Sequence, residues 1–187
     1  MVILGGAGSQ AGVVLGAVIV SVLLEALRDP GDARGYFYVL ILLALAAVYR
    51  TSLKLVVVVG GTIVLGVVAR LVAESIDGSW TAGPGEDAGP LADRAADWVI
   101  VPARLAEWVG PVTYISLVAL ALLLTLVSGW VRVVLLVPTL YLASFVWENV
   151  MLPQPEATRY IVLGALLVAM MIARPQGLLG EKRVEIV

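Results

Sequence analysis

The chain contains no cysteine and no histidine. Without cysteine there is no disulfide and no thiolate metal site, and the redox compartment stays open. Without histidine the commonest acid–base catalyst and metal ligand is missing. No serine can be paired with a base from sequence, so no catalytic, cofactor-binding or metal-ligating residue is assigned. Charge is scarce too. Twelve Lys and Arg against fourteen Asp and Glu give a net charge of −2, which offers nucleic acid no basic surface. Charged residues make up 14% of the 187, well below the roughly 25% of a soluble domain. No basic stretch or cleavage site follows Met1, so no secretory signal is read there and the helices themselves must drive insertion.

What fills the space is hydrocarbon. Hydrophobic residues reach 61% and the mean hydropathy is +1.03, whereas a soluble protein holds about 45–50% apolar residues. So short a chain could not bury that surface in one core, so lipid is the solvent the composition calls for. Six apolar segments are read as helices: Ala11–Leu27, Tyr36–Tyr49, Leu53–Val72, Val112–Val127, Val131–Val146 and Tyr160–Ala173. Twenty helical residues span ~30 Å, the thickness of the hydrocarbon layer. The shorter segments lean on Tyr36, Tyr49, Arg50, Tyr160 and Arg174 as interfacial anchors. The expectation is an all-α polytopic membrane bundle with about six transmembrane helices, forming one membrane domain over residues 1–187.

Polar joints separate the segments. Residues 28–35, Arg-Asp-Pro-Gly-Asp-Ala-Arg-Gly, read as a turn outside the lipid. Residues 50–54 form a short basic joint, and Ser128-Gly129 divides the fourth segment from the fifth. Pro138 should kink the fifth. The long polar region, residues 73–110, begins as an acidic, Gly- and Pro-rich loop. From Leu91 to Trp108 apolar residues then recur at three- and four-residue steps, which predicts an amphipathic segment on the membrane surface with Trp98 and Trp108 at headgroup depth.

Six crossings place both termini on one side. With that side cytoplasmic, the Lys and Arg residues divide six to six, but the inner six occupy the shorter joints, which favours this orientation.

Near the start, Gly6-x-Gly8-x-x-Ala11 imitates a dinucleotide-binding turn. The helix that follows is apolar on every side, and no strand bearing a ribose-binding acid comes after it, so the nucleotide reading fails. Gly8, Gly12 and Gly16 instead form a smooth stripe suited to close helix packing. Gly60-Gly61 and the Ala165, Ala169, Ala173 series point the same way.

The glycine run has a second significance. Gly5-Gly6-Ala7-Gly8-Ser9, then Gly12 and Gly16-Ala17, then a helix ending in Glu25 and Arg28, resembles the pattern Gly-Gly-x-Gly-Ser/Thr followed by Gly-Pro-x-x-Gly-Ala. Val13 replaces the proline. At the other end Arg174-Pro175-Gln176-Gly177-Leu178 follows an apolar helix. Both features are similar to the C-terminal part of bacterial branched-chain amino acid ABC transporter permeases of the LivM type. The family-like parts are residues 1–30 and 158–187, and residues 31–157 are unmatched, as an insertion of four helices and the outer loop 73–110 would be. The resemblance marks Gly5, Gly6, Gly8, Ser9, Gly12, Gly16, Arg174, Pro175 and Gly177 as motif and packing positions. It implies a bacterial plasma-membrane permease subunit working by alternating access. The implied partners are a second permease subunit, ATP-binding subunits that hold the ATP, and an extracytoplasmic substrate-binding protein. The alternative is a non-transporting membrane scaffold.

Ionisable side chains are read at segment ends: Glu25 with Arg28, Arg70 with Glu74, and Glu148 with Asn149 among the headgroups. None falls mid-segment, which argues against an ion-coupled carrier. Thr62, Ser116, Thr125, Thr139 and Ser144 should bond back to their own helices.

Overall fold

In lipid a backbone must satisfy its own hydrogen bonds, so even the Val-rich run of residues 53–76, a poor helix former in water, has helix as its solution. The computed structural model describes residues 10–49, 53–83, 90–102 and 104–173, and among them there are helices and connections but no strand. The protein is all-α. The helices are α1 (Gln10–Ala26), α2 (Pro30–Tyr49), α3 (Leu53–Ile76), α4 (Pro90–Ala96), α5 (Val109–Leu126), α6 (Gly129–Val146) and α7 (Pro155–Ala173). A 3-10 turn follows α3 at Gly78–Thr81, and a π turn, Trp147–Met151, extends α6. Each of the six apolar segments is a helix. Among the described residues four helices are long and apolar enough to cross a membrane: α2, α3, α5, and α6 with its π turn. Helix α1, at 17 residues, is shorter.

The helix starts correct the expected joints. Residues 30–35 are not a turn. Asp29 caps α2, its carboxylate accepting from the Gly31 amide at 2.7 Å and the Asp32 amide at 3.4 Å. Pro30 occupies the first helical position, where a missing N–H costs nothing. The Asp-Pro-Gly string that resembles a loop is a helix start, and it carries Arg34 into the bundle.

The second correction concerns the segment from Leu91 to Trp108. It is no continuous surface helix. α4 has seven residues and ends at Ala96, after which a turn and extended chain lead through Pro102. Ala95 and Val99 are buried, Trp98 is half-buried and turned inward, and Trp108 alone of the two indoles is exposed.

Two compact units divide the chain: Met1–Asp32 with Gln154–Val187, and Ala33–Pro153. In the first, α1 buries Gly12, Gly16 and Val20 along one face, and the Arg159 guanidinium donates to the Leu27 carbonyl at 3.4 Å. Gly164 and Ala165 on α7 are exposed, and a Cβ added at Gly164 would meet nothing within 4 Å; the side chains of Ala169 and Ala173 lie outside the described residues.

In the second unit α6 packs against both α3 and α5. Leu45 of α2, Val58 of α3 and Val133 of α6 meet in a buried cluster, and Gly61 faces Val137 across the α3–α6 contact. At that end Lys54 lies 5.7 Å from the centre of the Trp130 ring. Pro138 removes one rung of the α6 ladder. The neighbouring Thr139 hydroxyl donates to the Leu135 carbonyl at 2.7 Å, one residue along from the Val134 carbonyl that the proline leaves without its N–H. Thr62, Thr125 and Ser144 likewise donate to carbonyls of their own helices.

Beyond α3, the Asp77 carboxylate accepts from the Ser79 amide at 2.9 Å and caps the 3-10 turn. That bond holds its carboxyl below the usual range. Because the folded value is the lower one, this stabilisation is full above the unfolded pKa and fades as pH falls through the folded pKa. An NMR titration should find Asp77 ionising below an ordinary aspartate, and Asp77→Ala should loosen the turn. An ordinary titration would remove the cap from the account.

Candidate functional site

Ionisable groups inside a membrane bundle are costly, which makes them the first place to look for function. The start of α2 and the end of α6 bring two together. The Arg34 Nε donates to both carboxylate oxygens of Glu148, at 3.1 and 2.9 Å, and the side chains are 7% and 3% exposed. The Tyr38 hydroxyl, one turn further along α2, donates to the same carboxylate at 3.0 Å. Around the pair, Phe37 stacks on Trp147 with centroids 4.4 Å apart and rings 5° from parallel. The Trp147 indole N–H is buried without an acceptor among the described residues.

The π turn makes this geometry. Its widened ladder, closed by the Leu152 amide on the Trp147 carbonyl at 2.9 Å, carries helical structure one turn past Val146 and brings Glu148 in at the depth of Arg34. Such turns concentrate at functional positions. Expected among the headgroups, Glu148 is instead buried, and Arg34 is no loop residue.

A strap formed by α4 and the chain up to Pro102 covers this end. It is tied by polar side chains to its own carbonyls. Arg70 donates to the Ala96 carbonyl, and Asn149 donates to the Ile100 carbonyl at 2.9 Å and the Phe145 carbonyl at 3.0 Å. Arg70 therefore does not pair with Glu74 as the sequence suggested. Among the described residues it pairs with the Asp97 carboxylate, at 3.7 Å and largely exposed. Trp98 lies against Gly66, and its ring centre is 5.9 Å from that of Tyr38. The Glu25–Arg28 pair does form, at 3.4 Å, with both side chains 73% exposed, a setting in which ion pairs contribute little.

Beneath the strap a crevice of about 190 Å3 runs between α2, α3 and α6. Ile41, Leu42, Leu45, Val59, Ile63 and Leu140 line its length. Tyr38, Thr62 and Ser144 bring hydroxyls, and Trp98 forms a wall. α2 thus touches its neighbours through ion pair and aromatic stack at one end and the Leu45 cluster at the other, with open space between.

Of the motif residues marked in the sequence, Gly12 and Gly16 lie buried on α1. Gly5, Gly6, Gly8, Ser9, Arg174, Pro175 and Gly177 lie outside the described residues. Arg34, Tyr38 and Glu148 were missed. Their signal was an Arg and a Glu flanking apolar runs that the expected topology already put on the same side. Among the described residues no group of three or more carboxylates could hold a metal ion. Set against family models, curated proteins and solved structures, the chain matches none of them.

Proposed function

We propose that the chain is a permease subunit of a bacterial plasma-membrane importer for branched-chain amino acids, with both termini cytoplasmic. The observation that carries the reading is the order of the two sequence signatures: Gly5-Gly6-Ala7-Gly8-Ser9 with Gly12 and Gly16, then Arg174-Pro175-Gln176-Gly177 after the last apolar helix. Four helices of spanning length support it. No nucleotide-binding motif occurs in the sequence, so ATP is held by separate subunits, beside a second permease subunit and an extracytoplasmic binding protein.

One observation favours a second reading, a membrane scaffold that transports nothing. The strap end is pinned by the Arg34–Glu148 pair and by polar ties from Arg70 and Asn149, as suits a rigid bundle. Leucine uptake into cells with and without the gene separates the two. Uptake should fall at least tenfold on deletion, and an ATPase should co-purify with the chain. Unchanged uptake with no ATPase bound leaves the scaffold.

A further inference from the structure

We infer that the crevice between α2, α3 and α6 holds one acyl chain of a membrane phospholipid, which enters sideways from the bilayer between Leu42 and Ile63. The inference goes beyond the importer reading and stands equally for a scaffold, because it needs only the spanning helices.

Depth identifies what surrounds the crevice. On α2 its lining runs from Tyr38 to Leu45. At ~1.5 Å per residue that is ~12 to ~22 Å along a helix ~30 Å long, the middle of the hydrocarbon layer. Both ends are shut, one by Trp98 under the strap and the other by the buried cluster of Leu45, Val58 and Val133. The side is open. Leu42 on α2 and Ile63 on α3 line the crevice yet are 50% and 46% exposed, so its mouth lies between these two helices and faces lipid.

The walls exclude polar guests. Their hydroxyls are already committed: Thr62 and Ser144 donate to the Val58 and Leu140 carbonyls, and Tyr38 donates to Glu148. No hydroxyl proton remains to hold water, and a buried water needs two to four polar partners. The charges of Arg34 and Glu148 satisfy each other outside the lining. Hydrocarbon is what these walls accept.

Width then selects the kind of hydrocarbon. A helix with its side chains is ~10–12 Å across, so neither a second copy nor a partner helix can enter so small a space. A cavity of roughly 150 Å3 takes the six carbons of benzene. By that measure about 190 Å3 takes roughly eight carbons. A staggered chain advances ~1.3 Å per bond, so eight carbons extend ~9 Å, close to the length of the lining on α2. Volume and length agree for a single chain lying along the crevice. Leu45 is itself ~6 Å from the end of α2 at Tyr49, which adds about five carbons before the crevice is reached. A sixteen-carbon chain is long enough and an eight-carbon chain is not.

No hydrophobic gain draws the chain in, since lipid tails are as apolar as leucine. An empty crevice, however, forfeits dispersion contacts along every wall, and a chain restores them. The chain joins α2 to α3 and α6 over the stretch where these helices otherwise stand apart.

The test uses the full chain, stripped of lipid in detergent and then supplied with defined phosphatidylcholines. Native mass spectrometry should show one lipid with sixteen-carbon chains retained per protein, and its eight-carbon analogue retained at least tenfold less. In nanodiscs of lipid brominated midway down its chains, the emission that Trp98→Phe removes should be quenched at least twofold. Val59→Phe, which fills the crevice, should cut both retention and quenching at least threefold. Should that variant not insert, Ile41→Phe is read in its place, and the two chain-length results on the parent stand without either. Equal retention of the two lipids would overturn the site. So would quenching that ignores the filled crevice, which is the mark of surrounding bilayer lipid only. Retention of free palmitate or of a polyisoprenoid in preference to the phospholipid would overturn the occupant. None of these outcomes depends on leucine uptake, which alone decides the importer reading.

Discussion

Replacing Arg34 with Met should destabilise the Ala33–Pro153 unit by ~3–5 kcal/mol, the cost of leaving one member of a buried ion pair alone. The carboxylate of Glu148 then keeps the Tyr38 hydroxyl at 3.0 Å but loses both bonds from Arg34. With its side chain 3% exposed, water cannot take their place. Glu148→Leu alone should cost a similar amount by stranding the guanidinium. The double variant Arg34→Met, Glu148→Leu is the informative one. Paired charges bought from water at high desolvation cost are often matched or bettered by packed hydrocarbon, so the double variant should regain most of the loss. Adding Tyr38→Phe removes the hydroxyl that would then lack its acceptor, and should recover more. Detergent-denaturation midpoints of the parent, the two single variants and the double variant give the coupling between the two sites. Single variants within ~1 kcal/mol of the parent would show that the pair is solvated rather than buried.

The helical framework was legible because apolar run length is a strong signal and lipid leaves the backbone no alternative to helix. All six segments are helices, with ends displaced by less than two turns. Those displacements are what hid the site. Starting α2 at Tyr36 instead of Pro30 leaves Arg34 in a loop, whereas the Asp29 cap and Pro30 set it inside the first turns. Stopping α6 at Val146 leaves Glu148 among headgroups, whereas the π turn carries it a further turn of helix. One turn is ~5.4 Å, enough to move a charge from water into the bundle. The π turn has no sequence signature of its own, while the Asp-Pro start did. Its reading as a turn followed from composition and ignored that the same residues begin helices.

The strap illustrates a different failure. Its three- and four-residue apolar spacing is real, but with α4 ending at Ala96 the same residues point differently. Val99 and Trp98 turn to the bundle while Trp108 stays exposed. The partners that draw Trp98 inward, Gly66 and Tyr38, lie some thirty to sixty residues away, which no local period records.

Gly66→Ala should lift the strap without unfolding the helices. A Cβ at this position would overlap the Trp98 carbonyl oxygen and come within 2.9 Å of the ring carbon Cε3. The backbone oxygen has no rotamer to escape through, so the strap itself has to move, and overpacking of this kind costs ~1–3 kcal/mol. The movement pulls on the Arg70 bond to Ala96 and the Asn149 bond to Ile100, the polar ties that hold the strap down. Exchange of the Val99 amide, which is bonded to the Ala95 carbonyl at 2.8 Å, should therefore accelerate at least tenfold, with fluorescence shifting as Trp98 gains polar surroundings. Gly60→Ala is the matched control on the same helix, since a Cβ there meets nothing within 4 Å. It should leave exchange and fluorescence unchanged. If both variants behave alike, Trp98 does not rest on α3, and the strap is not seated on that helix.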